Sequence, residues 1–142
     1  MKNIWTCPKC GRIFEKKGQA HSCRRYPLEK HFKGKEDVAK PLFNDLKSKI
    51  RKRIGPVKVI SLPCCIHLFG LFDFAAVFPL KDKVRIHFVV NYKLNSPRID
   101  KSAKYSANRY KYAVYIKDKK DIDKELVGWL EEAYHLRKTV KN

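Results

Sequence analysis

Val84-Arg85-Ile86-His87-Phe88-Val89-Val90 decides how the rest of this chain is read. Val84, Ile86, Phe88 and Val90 alternate with Arg85, His87 and Val89, and a period of two is the mark of a strand with one buried face. Working outward, residues 57–62, 64–69 and 72–80 are short runs of β-branched and aromatic residues separated by turn material. Lys81-Asp82-Lys83 reads as a hairpin connection, Asn95-Ser96-Pro97 breaks the run, and residues 110–116 supply a fifth strand. Upstream, Val38, Leu42, Leu46, Ile50 and Ile54 form one face of an amphipathic helix over residues 37–54. Pro41 falls in its first turn and Gly55-Pro56 lies at its end. Downstream, Asp121 is placed to cap a helix over residues 122–138, with Ile122, Leu126, Leu130, Ala133 and Tyr134 as its buried stripe. Strands in succession between terminal helices predict an α+β domain with a mainly antiparallel five-stranded sheet, preceded by a small zinc-binding segment. The expected division is residues 1–26 for that segment and 27–142 for the α+β domain.

The chain has 142 residues, 44% of them hydrophobic and 12% aromatic, enough apolar material for one packed core. Lys and Arg number 33 against 14 Asp and Glu, a formal charge of +19. An excess of that size draws polyanions, with nucleic acid, DNA or RNA, the expected partner. The apolar stretch 59–80 is interrupted by Pro63, His67, Gly70, Asp73 and Pro79, so it reads as strands joined near Gly70 rather than as a membrane span. The opening residues lack an apolar signal core, which predicts a cytoplasmic protein whose five cysteines stay reduced. No oligomeric state follows from this pattern.

Cys7-Pro8-Lys9-Cys10-Gly11 is a Cys-x-x-Cys knuckle, in which a tight turn brings two thiolates to one tetrahedral metal. His21-Ser22-Cys23 returns with two more donors after ten intervening residues. Cys7, Cys10, His21 and Cys23 are therefore the expected ligands of a structural zinc ion (Zn2+), with His31 the alternative fourth ligand and iron compatible by ligand type. Trp5 and Phe14 flank the knuckle as packing aromatics. A redox reading lacks the strand-then-helix context that such a motif needs.

Elsewhere the chemistry is sparse. Cys64 and Cys65 are neighbours in a β-reading segment, where side chains point to opposite faces, so they read as small packed residues and not as co-ligands. His67 and His87 are placed to share a surface. Asp121, Asp123, Glu131 and Glu132 read as capping and solvated charges. There is no Gly-rich phosphate loop, nucleophile elbow or metalloprotease helix, so enzyme activity has little support in the sequence. Lys47, Lys49, Arg51, Lys52 and Arg53 on the first helix, with Arg109, Tyr110 and Lys111, are the expected nucleic-acid contacts. In the second group, cations interleave with aromatic faces that can stack bases. The alternative is a small-ligand or enzymatic domain with a pocket on the sheet near His67, His87, Arg98 and Arg109, for which the zinc segment would be a docking element.

An ordered series of motifs spans nearly the whole chain. It begins with Trp5-Thr6-Cys7-Pro8-Lys9-Cys10-Gly11-Arg12, His21-Ser22-Cys23 and His31-Phe32-x-Gly34-Lys35. It continues through Gly55-Pro56-Val57, Phe74-Ala75-Ala76-Val77, Ser96-Pro97-Arg98-Ile99 and Asn108-Arg109-Tyr110. Asp121-Ile122-Asp123 and Trp129-Leu130-x-x-Ala133-Tyr134 complete it. The series resembles an uncharacterised bacterial family, domain of unknown function 5655, some members of which are labelled "predicted transport protein". The resemblance implies an α+β domain, often behind a zinc segment, with no established activity. The chain departs from the expected pattern at Cys64-Cys65-Ile66-His67, where a basic residue is expected, and at Tyr112, where relatives tend to carry histidine.

Overall fold

The computed structural model describes residues 4–136 except Ser22 and Arg25. Six strands form one antiparallel sheet: β3 (Lys58–Ser61), β4 (Ile66–Phe69), β5 (Asp73–Pro79), β6 (Val84–Val90), β7 (Ile99–Ser106) and β8 (Arg109–Ile116), in the spatial order β3-β4-β5-β6-β8-β7. Two helices, α1 (Ala39–Arg53) and α2 (Lys124–Leu136), cover one face. A separate two-stranded ribbon, β1 (Trp5–Thr6) with β2 (Ile13–Phe14), belongs to the N-terminal segment.

The alternation in β6 is what makes the sheet two-sided. Val84, Ile86, Phe88 and Val90 are all buried, and register carries that face outward to Ala75, Val77 and Pro79 on β5 and to Tyr112, Val114 and Ile116 on β8. Helix α1 meets this face with Leu42, Phe43, Leu46 and Ile50, and α2 with Leu126, Leu130 and Ala133. Phe88 stacks on Trp129 with ring centroids 5.8 Å apart. Each fully buried leucine of these stripes contributes roughly 1.5–3 kcal/mol over its exposed state.

Two expectations change. The sheet has six strands, because residues 99–106 form an edge strand almost wholly exposed on both faces. Such a strand has no alternation to betray it, since nothing packs on it. The α2 cap is Asp123, whose Oδ1 accepts the Leu126 N–H at 3.0 Å. Asp121 instead closes the preceding turn with Asp118, accepting the backbone N–H groups of Lys117 and Asp118. The segment that follows the N-terminal unit is anchored to the sheet. Leu28–Phe32 forms a 3-10 turn that buries His31 and Phe32, and Lys35 Nζ donates to the Pro79 carbonyl at 3.0 Å. The helix expected to run on to residue 138 is described as far as Leu136, and its last two expected positions lie outside the described residues.

The stretch 59–80 folds as strands turning at Gly70, and among the described residues no helix is long and apolar enough to cross a membrane. Gly70 is required by packing: a Cβ there would lie 2.4 Å from the Tyr134 ring. Gly70→Ala should therefore lose about 1–3 kcal/mol in urea unfolding. Gly128→Ala, inside α2 with its nearest neighbour at 3.7 Å, should instead gain about 0.5–1 kcal/mol.

Candidate functional site

The N-terminal ribbon is short because its job is to set a turn. Cys7 N–H donates to the Arg12 carbonyl at 2.9 Å and Gly11 N–H to the Cys7 carbonyl at 2.8 Å, with Gly11 at φ +76° closing the knuckle. This brings Cys7, Cys10, His21 and Cys23 together, with one donor atom from each within 4.8 Å of the others. Cys7 Sγ lies 3.5 Å from Cys23 Sγ, and His21 Nε2 lies 3.4 Å from Cys10 Sγ and 3.2 Å from Cys23 Sγ. His21 Nδ1 donates to the Gln19 carbonyl at 2.6 Å, which fixes the tautomer and leaves Nε2 for a cation. Phe14 packs on the same imidazole at 4.3 Å between centroids, and Trp5 stands edge-on to it at 5.9 Å.

His31 is elsewhere. Its Nε2 donates to the Leu62 carbonyl at 2.8 Å and its ring packs on Tyr26, so it ties the linker to the end of β3. The histidine that joins the three cysteines in the cluster is thus His21.

Local dipoles lower two of the three thiols. The Cys10 backbone N–H holds the Cys7 thiol below its ordinary range. Burial alone would raise Cys10, but hydrogen bonds from Arg12 and the neighbouring donors bring it down to about 6. Cys23, beside Cys7 and partly desolvated, is pushed up to about 11 and keeps its proton until a cation displaces it. Three sulfurs and one nitrogen make a closed tetrahedral donor set.

On the opposite side of the sheet from the helices, a groove of about 840 Å³ opens between the N-terminal segment and the strands. Arg12, Phe14 and Lys16 line one wall, and Phe78, His87, Tyr105, Arg109 and Lys111 line the other. Register explains the membership: His67, Ala76 and His87 are paired across β4, β5 and β6, so the two histidines do share a face. Phe78 lies between the His87 ring at 4.5 Å and the Arg85 guanidinium at 4.8 Å. Burial, then the charges of Lys111 and Arg85, push His87 down to about 4, so it is neutral at pH 7.

The predicted nucleic-acid residues divide between the two sides. Arg109 and Lys111 reach the groove, whereas Tyr110 between them points to the helix side and packs on the core. Most of the α1 cations make contacts within the fold. Lys49 Nζ donates to the Ile122 carbonyl at 2.9 Å and pairs with Asp45 at 3.2 Å. Arg51 bonds the Val57 carbonyl at 3.1 Å, and Arg53 holds Glu131 at 3.2 Å and the Lys124 carbonyl at 3.1 Å. Lys47 lies over the Phe43 ring at 5.5 Å, and Lys52 is exposed. Arg98 is also outside the groove: it bonds Asp123, Glu125 and the Asp121 carbonyl at 2.6–3.1 Å and lies over Trp129, pinning the start of β7 to α2.

Sequence reasoning missed one cluster. Cys64 and Cys65 sit in the turn between β3 and β4 and not within a strand, so the alternation rule does not separate them. Their sulfurs are 3.0 Å apart, and His67 Nε2 lies 3.2 Å from Cys65 Sγ and 3.9 Å from Cys64 Sγ. His67 Nδ1 contacts Asp73 Oδ2 at 2.5 Å. Burial works against a proton on His67, but Asp73 and the thiols outweigh it and raise its pKa to about 11.

Fold and site together define a two-layer α+β domain behind a Cys3His segment able to hold a metal ion. The family model "Domain of unknown function (DUF5655)" matches residues 28–137, and the chain belongs to that family. No curated protein and no solved structure matches the chain.

Two outcomes follow from these placements. His21→Ala should remove one equivalent of a bound thiophilic cation in metal analysis. His31→Ala should leave uptake unchanged and lower stability by about 1–3 kcal/mol, since the buried Leu62 carbonyl loses its donor. For His87, whose folded pKa lies below the ordinary value of about 6.5, stability is fully present above that value and falls as pH drops toward 4. His87→Gln should flatten that part of the stability-pH curve.

Proposed function

We propose that this protein is a zinc-stapled nucleic-acid-binding module that takes an unpaired strand of DNA or RNA into the groove between the N-terminal segment and the open face of the sheet. The observation that carries the reading is Tyr105, 69% exposed on the β7 edge, beside Arg109 and Lys111 at the wall of the groove. An exposed aromatic face next to two cations suits a stacked base with its phosphates held alongside. Lys16 supplies positive charge from the facing wall, against Glu15 and Asp73. The net charge of +19 supports fast, salt-sensitive encounter with a polyanion.

The metal's part in this reading is structural. A closed set of three thiolates and an imidazole suits Zn2+, and the segment it holds forms one wall of the groove. A reducing compartment such as the cytoplasm suits five cysteines without a disulfide.

Fluorescence anisotropy with labelled single-stranded DNA and RNA tests the proposal. Affinity should fall linearly on logarithmic axes as salt rises. Tyr105→Ala should cost about 1–3 kcal/mol, and Lys111→Ala should reduce the salt slope by about one. Lys52→Ala, on the helix layer, should change neither. Negligible binding to both nucleic acids at low salt would reject the reading.

The volume and convergent side chains of the groove also favour a second reading, in which a small anionic ligand occupies it near His67, His87 and Arg109. Oligonucleotide length separates the two. Affinity that grows with length supports the polymer, and affinity already saturated by a mononucleotide supports the small ligand.

A further inference from the structure

The turn between β3 and β4 holds the only Cys/His group among the described residues, apart from the N-terminal one, whose donor atoms converge. We propose that Cys64 Sγ, Cys65 Sγ and His67 Nε2 form a second metal site, open toward the groove, for a thiophilic divalent cation of the zinc class. The three donor atoms lie within 4.8 Å of one another, with separations of 3.0, 3.2 and 3.9 Å. In the N-terminal cluster the corresponding contacts are 3.2–3.5 Å, so the two sites are gathered to a similar degree. Ideal tetrahedral zinc, with bonds of about 2.3 Å to sulfur and about 2.0–2.1 Å to nitrogen, sets sulfurs about 3.8 Å apart. The Cys64–Cys65 pair must therefore open by under about 1 Å, and Cys64, exposed and in a turn, is the side chain free to do it.

Two further features fit a cation. His67 turns Nε2 toward both sulfurs while Nδ1 is held by Asp73. This is the carboxylate-imidazole arrangement that orients metal-ligating histidines and strengthens them as donors. The burial is also graded. Cys65 is 3% exposed and the His67 side chain 18%, so Cys65 is held by burial at the end of the turn and His67 by β4, while the Cys64 side faces the groove. Two thiolates and one imidazole are three protein ligands, a number that leaves a fourth position for water or for a donor atom of whatever enters the groove. The two metal sites differ in kind: the first is closed, and the second is one ligand short.

The proposal stands apart from the nucleic-acid reading, because its test contains no nucleic acid. The full chain, purified reduced and without oxygen, is loaded with Zn2+ and its metal content read by native mass spectrometry. Co2+ loading is followed in parallel through its sulfur-to-metal absorption. Wild type should carry two equivalents and the Cys64→Ser/Cys65→Ser variant one. Asp73→Asn keeps all three ligands and should weaken the second equivalent about 10–100-fold while leaving the first unchanged. In wild type, Zn2+ should protect Cys64 and Cys65 from iodoacetamide in peptide mapping, a readout that does not depend on either variant folding. A single equivalent in wild type, a second equivalent that survives in the double variant, or a Cys64–Cys65 disulfide in the freshly purified protein would each overturn the site.

Discussion

The pleat of the central strand sends Val84, Ile86, Phe88 and Val90 under two helices and turns Arg85, His87 and Val89 to the other side. Everything else in the molecule adapts to that division. Antiparallel pairing copies it across β4, β5 and β8, because a one-residue slip in any neighbour would put its apolar set on the wrong face. With the apolar positions committed to the helix layer, the opposite face is left to His67, Phe78, Arg85, His87 and Lys111. That face is where the groove lies. Core and candidate site are therefore two consequences of one periodicity.

The N-terminal segment solves a different problem. Residues 4–26 have too little apolar surface to form a core, and among the described residues of this segment only Cys7, Cys10 and Arg12 are buried. Units of this size are held by cross-links or metals, since burial cannot offset chain entropy. Cys7, Cys10, His21 and Cys23 converge where a core would otherwise be, with Trp5 and Phe14 packed around the imidazole. The metal-capable cluster and the aromatic pair act together, and His31 fastens the linker that follows to β3.

Charge is distributed by use. Lys49, Arg51, Arg53 and Arg98 satisfy backbone carbonyls or carboxylates between elements, which accounts for much of the basic helix and for one conspicuous arginine. Arg98 is the partly buried one of these guanidinium groups, while Arg51 and Arg53 hold their partners from exposed positions. The cations not used in this way on the open face, Arg109 and Lys111 with Lys16 opposite, are fewer and lie around a groove. The total charge therefore overstates the number of residues able to meet a phosphate.

Much of this architecture was legible in the sequence. Periodicity identified both helices and five of the strands, and spacing identified the N-terminal Cys/His cluster with its fourth member open between His21 and His31, because both signals are local: each depends on neighbours a few residues away. The edge strand β7 was not legible, since an exposed strand carries no pattern of burial. Nor was the division of the α1 cations, because their partners lie as far away in the chain as Ile122 and Glu131. The Cys64-Cys65 pair was read by a rule that applies to strands, and the structure put the pair in a turn beside His67 and Asp73. Local pattern determined which segments fold and which face of each is apolar. Only the tertiary structure decided which polar side chains meet, because that depends on register and turn geometry summed over the whole sheet.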